Sequence, residues 1–599
     1  MRLLDCSRVR WIAVAVWCMG AGGGVRAEEV VQVRGPVVVA GHPEATRVGI
    51  EVLRGGGNAM DALVASSLAL GVTEPGNSGL GGKLVFVYFD ASSREVTFVT
   101  ALSAAPGKLD VQAAIDGPAT ERARGWRATC VPGLVAGLGA SHEKWGSRPW
   151  AELVGPAARL AREGYVLNER AADMGSEFPL VIDGKPVDAA AAAIYAPGGK
   201  TQAAGERASN VDLAATLDDL AEHGWRAFYT GKTADRLIAA ANAAGWPMAK
   251  EDFVGYAPRF APALSFGYEG YVVKTSPPPL TGGAILAGSM KVLEHQDWSG
   301  RATSTRDVGF IDAYARALTQ VYPLTSSAAG DTPESAGKVE RLLTGESIAK
   351  LRSAAAAVDP AKLGGETAPA GPADGRGVLG HPFDTAELAM DSSADTTGDD
   401  APESCTTHLM IVDAAGNVVV ATQSLGWHFG SAVVAPGTGV LMNNDMNNFG
   451  YRSPGSVNQV AAGKWPRSTM TPTLVLKDNK PVLAIGSPGG ARIPVQVGQV
   501  LMDVVEFGRP LPEAVKAPRY HVRRAITARE ADNVIDLEHG HDEMLAEGLR
   551  KLGWQVVRTP AGGYYFGCVN SATFAADGTI TGVADVRRSA DAAGLNITD

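Results

Sequence analysis

A threonine at the head of a hydrophobic hairpin constrains this chain more than any other feature. Glu403-Ser404-Cys405-Thr406-Thr407-His408 runs straight into Leu409-Met410-Ile411-Val412-Asp413, the turn Ala414-Ala415-Gly416-Asn417 and a second run, Val418-Val419-Val420-Ala421-Thr422. β-Branched runs around a glycine-containing turn predict an antiparallel pair. Upstream, from about residue 326 to 404, the composition turns to Ala, Gly, Pro, Asp and Ser, which bury little apolar surface and predict a mobile stretch. A firm strand behind a loose segment lets a threonine hydroxyl attack the peptide bond in front of it while the preceding chain stays free to leave. By itself a Thr-Thr pair before a strand reflects only β-propensity.

The rest of the chain narrows the choice. At 599 residues it exceeds one ordinary core, so two or more domains are expected. A net charge of −10 gives no electrostatic ground for nucleic acid as a partner. Arg2, Arg8 and Arg10 precede the apolar run 11–19, and Val25-Arg26-Ala27 offers a cleavage site; residues 1–27 therefore predict a removed signal peptide and a periplasmic or extracellular protein. No later stretch predicts a membrane span. With the signal gone, Cys130, Cys405 and Cys568 remain, an odd and widely spaced set that forms no disulfide framework and has no metal-ligand spacing. The glycines of 78–82 lack the lysine and hydroxyl pattern of a phosphate loop, and no cofactor is expected.

Periodicity predicts a helix over 58–71 capped by Asn58, a strand over 84–89 with its return over 94–100, and amphipathic helices over 151–163 and 211–222. A shorter helix over 339–351 interrupts the low-complexity stretch, and further helices fall near 493–507 and 542–552. Strands between helix layers make an α/β or α+β architecture.

Several further motifs stand in one order along the chain. They are Gly55-Gly56-Gly57-Asn58-Ala59-Met60-Asp61-Ala62, Ser78-Gly79-Leu80-Gly81-Gly82, Val131-Pro132-Gly133 and Pro277-Pro278-Pro279-Leu280-Thr281-Gly282-Gly283. After the hairpin come Gly439-Val440-Leu441-Met442-Asn443-Asn444, Pro466-Arg467-Ser468-Thr469-Met470-Thr471-Pro472 and Gly486-Ser487-Pro488-Gly489-Gly490-Ala491-Arg492. From about residue 36 onward the chain resembles the γ-glutamyltransferase (glutathione hydrolase) family of N-terminal nucleophile hydrolases. The resemblance implies a four-layer αββα sandwich and a precursor that cuts itself between Cys405 and Thr406. The products would be a large fragment, 28–405, and a small catalytic fragment, 406–599, held together as a heterodimer that acts on a small amide or peptide. It implies Thr406 as nucleophile, Ser424 as its supporting hydroxyl, and the backbone N–H groups of Gly489 and Gly490 as oxyanion donors. Ser468 and Thr469 would hold the substrate.

The same resemblance locates departures. The arginine that clamps the substrate α-carboxylate in the family is replaced by Leu102, which has no guanidinium fork; Arg122, Arg124 and Arg127 are the nearby candidates to substitute. The asparagine two residues beyond the supporting hydroxyl is Gly426. The aspartate that receives the substrate ammonium aligns with Asn448, with Asp445 close along the motif as a candidate replacement. The stretch 449–465 is short, like family members without a long lid, and favours hydrolysis over transfer. The rival expectations are an acylase of the same fold, cephalosporin-acylase-like, acting on acyl groups without an α-amine, and a non-catalytic binding paralogue. Cys405, His408 and His428 are read as structural, and Trp427 as either pocket lining or core.

Overall fold

The computed structural model describes residues 29–182, 185–363, 404–451, 454–523, 533–559 and 564–596. The first part of the chain supplies β1 (Val30–Val33), β2 (Val37–Ala40), β3 (Lys83–Phe89), β4 (Val96–Ala101), β5 (Arg259–Pro262), β6 (Leu264–Tyr268) and β7 (Tyr271–Thr275). The second supplies β8 (Ser404–Val412), β9 (Val418–Trp427), β10 (Thr473–Lys477), β11 (Lys480–Gly486), β12 (Asn570–Phe574), β13 (Ile580–Val583) and β14 (Asp591–Gly594). They form two seven-stranded sheets, ordered β1-β13-β12-β11-β10-β7-β6 and β14-β2-β8-β9-β3-β4-β5. Both halves of the chain thus interleave in each sheet.

The expected hairpin is the centre of the second sheet. β8 and β9 pair antiparallel, and β9 pairs with β3 on its other side. Every residue of β9 and β3 is buried, which explains continuous apolar runs in place of an alternating pattern. Alternate side chains still go to different cores. Met410, Val412, Val418 and Val420 pack between the sheets, whereas Leu409, Ile411, Val419 and Ala421 pack under a helical layer.

That layer contains α1 (Pro43–Arg54), α2 (Ala59–Thr73), α3 (Leu134–Trp145), α4 (Trp150–Glu163) and α5 (Val211–His223). Asn58 caps α2 as expected: its side chain accepts from Met60 and Asp61 N–H, while the Asp61 carboxylate accepts from Asn58 N–H. On the first sheet lie α6 (Gly282–Leu293), α7 (Val308–Ala328), α8 (Ser335–Leu342), α9 (Gly345–Ala357) and α10 (Ile493–Val505). The result is the four-layer αββα sandwich.

The stretch expected to be mobile differs in its first half. The helix expected over 339–351 is present as two, α8 and α9, spanning residues 335–357 and burying Val339, Ile348, Leu351 and Ala355. The sparse leucines and valines there fall on one helical face, so low overall hydrophobicity conceals an adequate apolar stripe. Residues 364–403 lie outside the described residues, as does the expected signal segment. No helix among the described residues is long and apolar enough to cross a membrane.

Candidate functional site

The site begins with a register fault in the central hairpin. Cys405 stands opposite Gly426, but Thr407 stands opposite Gln423, so two steps along β8 match three along β9. Thr406 therefore faces both Ser424 and Leu425. Such a bulge re-aims side chains at the cost of unpaired backbone groups. Here those groups have partners: Leu425 N–H donates to the Asn77 carbonyl at 3.1 Å, and Asn444 N–H donates to the Leu425 carbonyl at 3.0 Å.

The bulge gathers three oxygens. Thr406 Oγ1 donates to Ser424 Oγ at 3.2 Å, and Ser424 Oγ donates to the Cys405 carbonyl oxygen at 2.6 Å. Gly426 N–H donates to the same Ser424 oxygen at 2.9 Å. A hydroxyl offers one proton and two lone pairs, so Ser424 is saturated and its hydrogen is committed to the Cys405 carbonyl. The carbonyl of Thr406 accepts from Arg588 Nη1 at 2.9 Å, which fixes the peptide plane on the other side. Thr406, Cys405 and Ser424 are all buried in the uncut chain.

The glycine pair lies beside this cluster. Gly489 and Gly490 have φ of 130° and 57°, which disfavour side-chain-bearing residues. The turn Gly490–Arg492 packs against β8 and leads into α10. Thr469 Oγ1 donates to the Gly490 carbonyl at 2.8 Å, turning that oxygen toward Thr469 and setting the peptide's orientation. Ser468 is buried next door, where its carbonyl accepts from Thr281 N–H at 2.9 Å. Thr406, Ser424, Ser468, Thr469, Gly489 and Gly490 are thus placed on neighbouring elements.

Of the positions that depart from the family pattern, Gly426, Asp445 and Asn448 lie together. Leu102 is buried in the core between the sheets and delivers no polar group. Arg122 is bonded to the Ile115 and Gly117 carbonyls and stacks on Tyr451, while Arg124 is bonded to the His428 and Gly430 carbonyls at 2.6 Å each. Arg127 pairs with the surface residue Glu121. All three guanidiniums are therefore engaged by the protein. Gly426 has φ of 103°, and a Cβ there would lie 2.1 Å from Asn444 Oδ1, so an asparagine cannot be accommodated without displacing that amide. Asp445 is not open to solvent. Lys83 Nζ lies 2.6 Å from its Oδ1, and Asn448 Nδ2 donates to the same oxygen at 3.3 Å.

Two groups of residues were not singled out from sequence. Lys83 is one; it heads an apolar run whose strand was expected to begin at Leu84. The other is Asn77, Glu177 and Arg588 around Cys405 and His428: the Cys405 thiol donates to Asn77 Oδ1, Arg588 Nη1 lies 3.7 Å from Sγ, and His428 is ion-paired with Glu177. Burial raises the Cys405 thiol, but the His428 and Arg588 cations outweigh it and hold the thiol below its ordinary value. Burial lowers His428, yet Cys405 and Glu177 bring it up to about 10. No pairwise spacing in the sequence signals this cluster. The adjoining cavity, lined by His42, Glu74, Met174, Phe429, Tyr564 and Arg588, lies toward Cys405 and does not include Thr406.

His408 is structural in its setting. Its Nδ1 bonds Thr422 Oγ1 at 2.8 Å, its ring fills the space left by Gly486, and burial holds it at about 3. Trp427 N–H donates to Asn444 Oδ1, and its ring packs near Arg124. Cys130, Cys405 and Cys568 are free and buried. Among the described residues no His, Cys, Asp and Glu side chains converge into a metal-ligating group.

Known proteins share this plan across nearly the whole chain. Residues 45–595 match the family model described as Gamma-glutamyltranspeptidase. The glutathione hydrolase proenzyme of Bacillus subtilis (strain 168) is 31% identical over 570 residues, covering 94% of this chain and 92% of that protein. The acylase ACY 1 proenzyme of Pseudomonas sp. (strain V22) is 32% identical over 569 residues, covering 92% and 91%. The crystal structure of cephalosporin acylase from Bacillus halodurans superposes with a TM-score of 0.81 at 22% identity, covering 98% of this chain and 100% of that one, which establishes the shared fold. The chain is an enzyme of the gamma-glutamyltranspeptidase family, built on the N-terminal nucleophile hydrolase fold.

Proposed function

We propose that this protein is an exported precursor that cuts itself between Cys405 and Thr406 and then hydrolyses γ-glutamyl or related amides through an ester on Thr406. The observation that carries the reading is the Ser424 hydroxyl, which links Thr406 Oγ1 to the Cys405 carbonyl. Attack by Thr406 Oγ1 on that carbonyl carbon develops negative charge on an oxygen that already holds the Ser424 proton. Collapse breaks the Cys405–Thr406 C–N bond, the threonine nitrogen takes a proton, and an ester to Thr406 Oγ1 remains. Water then releases a Cys405 carboxylate and a free Thr406, leaving fragments 28–405 and 406–599 as a heterodimer.

The new α-amine has an ordinary pKa of about 7.7–8.0 and serves as base for the hydroxyl on the same residue. Substrate amides pass through the same bonds in the same order: acyl ester formation on Thr406 with loss of the amine, then hydrolysis. Gly489 and Gly490 are the backbone donors for the substrate oxyanion, at the positive end of α10. Ser468 and Thr469 hold the acyl group, and the short 449–465 stretch favours water over an amine acceptor. The curated relatives, named as proenzymes of a glutathione hydrolase and an acylase, agree with a precursor of this class.

An acyl group without an α-amine is the second reading, favoured by the neutral Asn448 amide, which gives a substrate ammonium no charge partner. The test is rapid-quench mass spectrometry during turnover of γ-glutamyl and glutaryl anilides. An acyl adduct on the fragment beginning at Thr406 supports the ester route. A fully cut protein that turns over neither amide yet binds a ligand supports the non-catalytic paralogue instead.

A further inference from the structure

Lys83 opens β3 directly across from Ser424, so both side chains leave the sheet on one face. Its ammonium and the Asp445 carboxylate are 2% and 0% exposed. A Cβ on Gly426 would lie 3.5 Å from Asp445 Oδ1, and the Gly426 N–H is bonded to Ser424 Oγ. The ion pair therefore borders the hydroxyls of the cleavage site, among the positions where the family's recognition residues have changed.

We propose that Lys83 determines specificity: its ammonium supplies, from within the protein, the cation beside Asp445, and the site takes acyl groups that carry no α-ammonium. This rests on the amidase reading of Thr406 and names its substrate class. A substrate ammonium needs an acidic partner, and Asp445 is already neutralised. Bringing a second cation there sets two like charges in a buried space, and displacing Lys83 breaks its buried pair with Asp445. An acyl chain with a methylene in place of the ammonium meets neither cost. The glutaryl group is the matched case, since it is the γ-glutamyl group without its ammonium and keeps the carboxylate.

The pair of substrates gives the experiment. Glutaryl and γ-glutamyl p-nitroanilides are compared by kcat/KM on wild type, Lys83→Met and the double variant Lys83→Met/Asp445→Asn, each checked for cleavage by mass spectrometry. Wild type is expected to favour glutaryl by roughly tenfold to a hundredfold, the scale of one partly screened charge interaction. Lys83→Met frees the Asp445 carboxylate and shifts the ratio toward γ-glutamyl by a similar factor, while the double variant, lacking the carboxylate, does not gain γ-glutamyl turnover.

A wild-type preference for γ-glutamyl, or a cut and active Lys83→Met with an unchanged ratio, overturns the proposal. So does a double variant that gains γ-glutamyl turnover as strongly as the single one. Calorimetric binding of glutarate and L-glutamate to wild type decides the matter if Lys83→Met does not fold. Tighter glutarate supports the proposal, and equal or tighter L-glutamate overturns it. A chain left uncut, or cut but inactive, counts against the Thr406 reading alone, and the same binding comparison still judges Lys83.

Discussion

Replacing Ser424 by alanine removes one oxygen and three hydrogen bonds, to Thr406 Oγ1, the Cys405 carbonyl and Gly426 N–H. The bond to the carbonyl matters most for rate, because it strengthens as the oxygen becomes an oxyanion. Loss of one such preorganised donor slows a reaction by about 10²–10³-fold, or about 2.7–4 kcal/mol of barrier. The fold is affected less, since a typical hydrogen bond contributes about 1 kcal/mol net. Ser424→Ala is therefore expected to accumulate as a folded, intact precursor that cuts about a hundredfold or more slowly than wild type. Ser424→Thr, which restores the hydroxyl, is expected to recover most of the rate. The assay is conversion of freshly folded precursor to two fragments, followed by intact mass, with circular dichroism confirming the fold. Cleavage of Ser424→Ala within about threefold of wild type would refute the role given to this hydroxyl.

Gly426→Ala places a Cβ against Asn444 Oδ1 at a φ of 103°, so chemical denaturation should show a loss of about 1–3 kcal/mol together with slower cleavage. His408 is held at about 3 by burial, below its unfolded value of about 6.5. Its depressed folded value means stability that is present above about pH 6.5 and lost as pH falls toward the folded value, at up to about 1.4 kcal/mol per pH unit. His408→Gln should flatten the stability profile between pH 6.5 and 4 by that amount; parallel profiles would contradict it. Adding glycylglycine should raise anilide turnover little and give mainly hydrolysis product by chromatography, whereas a dominant dipeptide conjugate would overturn the hydrolysis preference.

The hairpin was legible because both its strands are central, buried on each face and therefore continuously apolar. The Thr406–Ser424 pairing followed from that hairpin and from motif order. Its decisive detail, the bulge that sets Thr406 against Ser424 and Leu425, depends on Asn77 and Asn444 from distant segments and leaves no mark near residue 406. The helix expected over 339–351 forms as two, α8 and α9, and runs past both expected ends, since a thin apolar stripe suffices when a helix packs on an existing layer. Lys83 was missed because a lysine beside an apolar run reads as a strand's exposed beginning. Only the fold, which brings the turn Asp445–Asn448 against it, gives the charge a partner. The loss of guanidinium at Leu102 was visible, but occupation of Asp445 by an internal ammonium was not. Sequence order named the elements that meet at the Thr406–Ser424 pair, while the electrostatics there arise from contacts between segments hundreds of positions apart.

The central claim is that Thr406 becomes an N-terminus through its own attack. The most direct measurement is mass spectrometry of the N-termini in wild type and Thr406→Ala, expressed without residues 1–27 and shown to be folded. A wild-type fragment beginning at Thr406 and a Thr406→Ala chain that stays whole are expected. A wild-type chain that remains uncut, or a Thr406→Ala chain cut between residues 405 and 406, would contradict it.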